Sequence, residues 1–257
     1  MPPAEDKLSG RAAASGRASA SGRASATSRD AQRQQTRQRV YAAALAEFKR
    51  TGMAAADVRD IAAAAGVARG TFYFHFPTKE HVLAEFERQE EARLVAQLAK
   101  FVAQLDARCG PPSPGAASPE AASSGAASPG AASSGVEFLP AALGEVVRLL
   151  TAMERRVGKT LFREMLGLHF SPRRPDVLPG ADKWADYPVM TSVIDIVERA
   201  RGRGEVYPGA DALRTAQFFM LGLYAMLITS HEYSKAARAE ILDNFMATVL
   251  RGVQSRL

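Results

Sequence analysis

Apolar residues recur every three to four positions through most of the chain, and a Gly or Pro interrupts each run. Val40, Ala44 and Phe48 lie four apart, Ala43 and Leu45 widen the stripe, and Gly52 closes it. That pattern predicts an amphipathic helix over about 31–51. In the next run, DVRDIAAAAG, Asp57 is placed to cap a short helix, Gly66 to stop it, and Ile61 and Ala65 to face inward. After a very short turn, ARGTFYFH carries Phe72, Phe74 and Phe76 at alternate positions. Alternation of this kind is the usual mark of a half-buried strand. No second strand, hairpin or βαβ pattern is at hand to pair with it, and Pro77 disfavours a helical conformation at Phe76. The stretch therefore predicts a short helix ending near Phe76, with Phe72 and Phe76 on the core face and no role for Phe74. Thr78 can cap a long helix in which Val82, Phe86, Leu94, Leu98, Phe101 and Leu105 keep helical spacing to about Arg108. Further helices are predicted at about 138–157, 158–169, 183–202, 210–231 and 235–252. The pattern as a whole predicts an all-α protein.

Two tracts lack that pattern. Residues 10–27 are three hexads of the type GRASAS, and residues 115–134 are two decads of the type GAASPGAASS. Neither holds a large apolar residue, so neither can offset the entropy of ordering. They predict a disordered arm over 1–30 and a disordered loop at about 110–135. The charge sharpens this. Residues 1–39 carry eight Lys/Arg against three acidic residues, five of the six net positive charges of the chain. A basic arm on a near-neutral body points to a polyanion partner. The single cysteine, Cys109, excludes an intramolecular disulfide. No apolar segment follows the N-terminal arginines as in a signal peptide. The longest apolar stretch, 216–230, falls short of the ~18 residues that suggest a membrane span. The expectation is a cytoplasmic protein with no membrane partner.

A short capped helix, a Gly-containing turn and a second short helix form a helix-turn-helix, whose second helix enters the DNA major groove. Small residues at its start, Ala68, Gly70 and Thr71, would let the backbone approach DNA. Arg69 could contact a guanine edge, and Thr71 a thymine methyl or a phosphate. Tyr73, His75 and Lys79 suit phosphate oxygens, which fix position rather than sequence.

These residues carry a family likeness. The run from Val40 to Leu83 resembles the DNA-binding domain of the TetR family of one-component transcriptional regulators. The match lies in Val40, Ala44, Phe48 and Gly52, in VRDIAAAAGVARGTFYFHF, and in PTKEHVL. The resemblance implies recognition-helix contacts at Arg69, Gly70, Thr71 and Tyr73, and phosphate contacts at Thr71, Tyr73, His75 and Lys79, with Arg59 a further candidate. Asp57 departs from the Thr usual at that cap and sets a carboxylate near the phosphates. The resemblance also implies an N-terminal three-helix DNA-binding domain (31–78) and a helical-bundle regulatory and dimerisation domain (79–257). It implies a homodimer that acts on a near-palindromic operator in double-stranded DNA, close to the bacterial nucleoid. An unknown small-molecule effector would release it.

Phe162, Met165, His169, Trp184, Tyr187 and Tyr224 are the candidates for an effector pocket, although aromatic and Met residues on helices are more often simple core. The histidines and the cysteine show no metal-ligand spacing such as H-E-x-x-H or C-x-x-C. No nucleophile–base pattern stands out. The expectation is a DNA-binding regulator with no enzymatic activity, no cofactor and no metal.

Overall fold

The computed structural model describes residues 12–110, 137–171 and 187–254, with side chains from residue 29 onward except at position 231. The first eleven residues, the repeat loop expected at about 110–135 beyond Gly110, and Trp184 lie outside the described residues. Nine α-helices are described: α1 (Ala12–Thr51), α2 (Val58–Ala64), α3 (Arg69–His75), α4 (Lys79–Cys109), α5 (Phe138–Val157), α6 (Lys159–His169), α7 (Pro188–Gly202), α8 (Ala212–Thr229) and α9 (Lys235–Val253). Among the described residues the one β feature is a single bridge between Val206 and Gln254. The chain forms two compact units, Met1–Val82 and Leu83–Leu257.

The first helix corrects the expectation for the arm. It begins at Ala12, not near 31, and so takes in residues 12–30, which composition assigned to disorder. Lack of an apolar face argues against packing, not against helix. Once a helix is nucleated, each further residue needs only one hydrogen bond, and Ala and Arg are strong helix formers.

In the first unit, Val40, Ala44 and Phe48 are fully buried, as their spacing predicts, and so are Ile61, Phe72 and Phe76. Gly52 and Gly66 take positive φ (83° and 65°) where α1 and α2 stop. At Gly66, Val67 N donates to Ala62 O (3.0 Å) and Gly66 N to Ala63 O (3.1 Å). These two bonds satisfy carbonyls at the end of α2 and turn the chain sharply into α3. Phe76 ends α3 with extended backbone (φ −137°, ψ 105°), as the following Pro77 requires.

In the second unit, α5, α7 and α8 supply most of the core, including Phe138, Leu143, Val193, Ile196, Phe219 and Leu223. Glu205 reaches back to cap α5, accepting from Phe138 N (2.9 Å) and Leu139 N (2.6 Å). The first turn of α5 has no local acceptor, so a side chain distant in sequence satisfies donors that would otherwise be orphaned.

Helix α8 is longer than the apolar run read from sequence. Among the described residues it alone is long and apolar enough to cross a membrane, with a mean hydropathy of 1.3 over 18 residues. One of its faces is core (Ala216, Phe219, Met220, Leu223, Leu227), while Phe218 and Leu221 on the other are exposed. Gly222 lets α9 approach: a Cβ there would stand 2.4 Å from the Phe245 ring, which itself stacks on Phe219 at 5.9 Å. Substitution Gly222→Ala must push Phe245 off Phe219. Overpacking of this kind costs about 1–3 kcal/mol, which should appear as a lowered thermal unfolding midpoint.

Candidate nucleic-acid interface

Helix α3 has seven residues and turns two faces to different surroundings. Phe72 is buried against Phe76 (ring centroids 6.2 Å apart), and Phe76 stacks on Tyr41 of α1 at 6.2 Å. The opposite face leaves Ala68, Arg69, Gly70 and Tyr73 exposed, with Thr71 half-buried beside them. Nothing lies within 4 Å of the position a Gly70 Cβ would take. Internal packing therefore does not require glycine there, and the open space lies on the outward face. Arg69 lies over the Tyr73 ring (5.7 Å to the centroid), and its guanidinium is 3.5 Å from the Tyr73 hydroxyl. Both polar ends remain at the surface, where they can turn to a ligand.

Phe74, which the sequence reading leaves without a role, is 64% exposed. Arg33 of α1 sits over its ring at 4.8 Å, and Arg37, one turn further on, sits over Phe76 at 4.4 Å. The two arginines are thus docked on the aromatic end of α3. Their four-residue spacing on one helix was the available signal, but the aromatics that receive them become neighbours only in the fold. These charges also bear on His75. Burial first, then the Arg33 and Arg37 charges, hold the imidazole below its ordinary pKa. His75 is accordingly neutral at pH 7, and it would meet a phosphate as an N–H donor rather than as a cation.

Asp57 caps α2 as predicted, accepting from Arg59 N at 2.7 Å. It also holds the Arg59 guanidinium (Nη2 to Oδ2 2.9 Å). The side-chain and backbone bonds from Arg59 keep the Asp57 carboxyl below the usual range. Arg59 remains 74% exposed, but its charge is matched by that carboxylate.

Lys79 is engaged within the head. Its ammonium donates to three backbone carbonyls, Met53 O (2.7 Å), Ala56 O (3.0 Å) and Ala54 O (3.1 Å). An ammonium has three donors, so all are committed to the loop between α1 and α2. A cation thus satisfies those carbonyls where the loop turns. The geometry makes Lys79 a staple of the head. Hydrogen bonds from a charged group contribute about 1.5–3 kcal/mol. We expect Lys79→Met to destabilise the head by about that amount in denaturant unfolding monitored at its aromatic residues.

The effector-pocket candidates divide. Phe162 and Met165 are buried, at 1% and 2% exposure. His169, Tyr187 and Tyr224 come together: the His169 ring is 4.1 Å from Tyr187 and 5.6 Å from Tyr224, and the Tyr187 hydroxyl donates to His169 O at 3.3 Å. A separate shallow cavity of about 160 Å³ lies between α4 and α7, beside Leu98, Val102, Ile196 and Arg199. It holds none of the candidates and is smaller than the ~300 Å³ at which small-molecule pockets begin.

Comparison with known proteins places this geometry. Residues 40–86 match the sequence profile of "Bacterial regulatory proteins, tetR family". A 61-residue stretch, 24% of the chain, is 36% identical to the HTH-type transcriptional regulator AcrR of Shigella flexneri, and spans 28% of that relative's length. Among solved structures, the chain is similar to Thermus thermophilus FadR, described as a TetR-family transcriptional repressor in complex with lauroyl-CoA. That match has a TM-score of 0.57 and 21% identity, and covers 86% of this chain and 96% of that one. The fatty acid degradation regulator FadR of Bacillus halodurans has a TM-score of 0.53 and 16% identity, covering 84% and 99%. SmeT, repressor of a Stenotrophomonas maltophilia multidrug efflux pump, has a TM-score of 0.53 and 16% identity, covering 85% and 90%. At these identities the structures share the fold alone, while the sequence match rests on the head. Together with the helix-turn-helix geometry of α2 and α3, the profile match shows that residues 40–86 form a DNA-binding head of the tetR-family type, while the rest of the chain shares the fold of these structures.

Proposed function

We propose that the protein is a sequence-specific DNA-binding transcriptional regulator: a homodimeric repressor that a small molecule releases from a near-palindromic operator. The observation that carries this is the outward face of α3, where Arg69, Gly70, Thr71 and Tyr73 stand clear of the core that Phe72 and Phe76 anchor. A seven-residue helix held rigidly by one face and open along the other is what a major groove can accept. Arg59, Ala68 and His75 flank that face, and Arg33 and Arg37 add positive charge at its far end. The protein would act in the cytoplasm, on nucleoid DNA.

A gel shift on the DNA flanking the protein's own gene tests this reading. Binding should weaken steeply as salt rises, because phosphate contacts release counterions. Arg69→Ala should relax the preference at one base pair per half-site, by about 1–3 kcal/mol. Asp57→Asn keeps the cap and removes the carboxylate that matches Arg59, so it should strengthen binding to all sequences alike. Equal affinity of the wild type for flanking and random DNA would refute the reading.

Dimerisation is supported by α8 and α9. Phe218 is 63% exposed and Leu221 42%, on the side of α8 away from the core, and α9 buries only Leu242 and Val249 within its own chain. An apolar face this uncovered is the kind that a second copy of the chain closes. Sedimentation equilibrium should give twice the chain mass for the wild type and the single-chain mass for Phe218→Glu.

The grouping of His169, Tyr187 and Tyr224 supports an effector site in the second unit. The lauroyl-CoA held by the Thermus relative supports a small organic molecule as the class of effector.

A further inference from the structure

The second unit holds a side-chain cluster that DNA reading does not use. Glu87 and Glu91 stand one turn apart on α4, and His169 ends α6. All three are buried, at 2%, 7% and 7% exposure. One ligating atom from each lies within 4.8 Å of the other two. His169 Nδ1 is 2.6 Å from Glu87 Oε1. We propose that Glu87, Glu91 and His169 form a binding site for a divalent first-row transition-metal ion.

Charge is the first argument. Glu87 and Glu91 converge on an imidazole. Two carboxylates this close repel in a medium of low dielectric, and one doubly charged ion offsets both. Size is the second. Ligand atoms about 2.0–2.2 Å from a shared ion stand roughly 3–4.4 Å from each other, so the cluster needs only a small adjustment to close on one. An organic ammonium would need the side chains to part. Donor type is the third. Two carboxylates and one imidazole suit Mn²⁺, Fe²⁺, Co²⁺, Ni²⁺ or Zn²⁺; a thiol-free set is poor for Cu⁺, and imidazole is foreign to the all-oxygen shells of Ca²⁺. Finally, the imidazole is held in place. The Tyr187 ring packs on it at 4.1 Å, and the Tyr187 hydroxyl bonds to its backbone carbonyl. A ligand fixed in this way loses little freedom on binding a metal. Three protein ligands leave coordination positions that water or a further small ligand can fill.

The sequence concealed the site because its parts are not local. Glu87 and Glu91 show helical spacing, but the imidazole lies 82 residues beyond Glu87.

The test uses the full-length chain, stripped with chelator and dialysed, and needs no operator. It therefore stands apart from the repressor reading. Titration with Co²⁺, read by visible absorption, and equilibrium dialysis with Zn²⁺ and Mn²⁺ should show one ion per chain. Glu91→Gln and His169→Gln should each weaken binding at least about 10-fold, an effect of about 1.4 kcal/mol. A His81→Gln/Cys109→Ser double variant should bind as the wild type does. Folding of each variant is checked by circular dichroism. In the wild type, substoichiometric Mn²⁺ should broaden the His169 ring NMR signals, whether or not the variants fold. The proposal is overturned if no ion binds more tightly than about 1 mM (~4 kcal/mol). It is also overturned if binding survives both ligand substitutions, is lost in the double variant, or leaves the His169 signals sharp.

Discussion

Burial of Phe72 and Phe76 is the constraint on which the outward face of α3, the proposed DNA-reading surface, depends. Helix α3 has seven residues, far below the ~12–15 at which an isolated helix becomes marginally stable. It exists because those two rings are packed against α1 and α2. Fully burying each ring is worth roughly 1.5–3 kcal/mol. The same two residues fix the rotation of α3, and so decide that Arg69, Gly70, Thr71 and Tyr73 point outward. The Gly66 turn sets where the helix begins, and Pro77 sets where it ends. Phe74 falls on the remaining side and serves as a platform for Arg33.

Buried charge is handled differently in the two units. In the head, Lys79 is taken up by carbonyls of the α1–α2 loop, which stiffens the turn that leads into α2. In the second unit, arginines cover Glu90, Glu145 and Glu154, Glu205 caps α5, and Glu87 and Glu91 gather at His169. Breaking such a buried pair by removing one partner is strongly destabilising. Glu90–Arg156 thus ties α4 to α5 and Glu154–Arg238 ties α5 to α9, whereas Glu145–Arg148 stays within α5. The Glu87–Glu91–His169 cluster brings two acids to one imidazole.

Local features were legible from sequence alone. The helix boundaries in the head follow from Gly52, Asp57, Gly66 and Pro77, since each acts on the backbone next to it. The inward faces of α1 and α3 follow from four-residue spacing. What the sequence hid depends on which residues meet across the fold. The carbonyl partners of Lys79 could not be read locally, since they lie 23 to 26 residues earlier. His169 was singled out, but its acidic partners on α4 were not. The alternating phenylalanines read as a strand until the absence of a partner strand was weighed, because a six-residue window holds too few positions to separate the two periods. Residues 12–30 misled for another reason: composition reports packing, and a helix that continues from an ordered one does not need to pack.

The central claim is that α3 reads DNA from each of two copies of this chain. Hydroxyl-radical footprinting of the wild type on the DNA flanking its own gene tests it most directly. The account predicts protected windows in pairs on one face of the duplex, about 34–36 Å apart or a little more, with the protected bases forming an inverted repeat. Protection at a single window, or uniform protection along the fragment at every protein concentration, would contradict it.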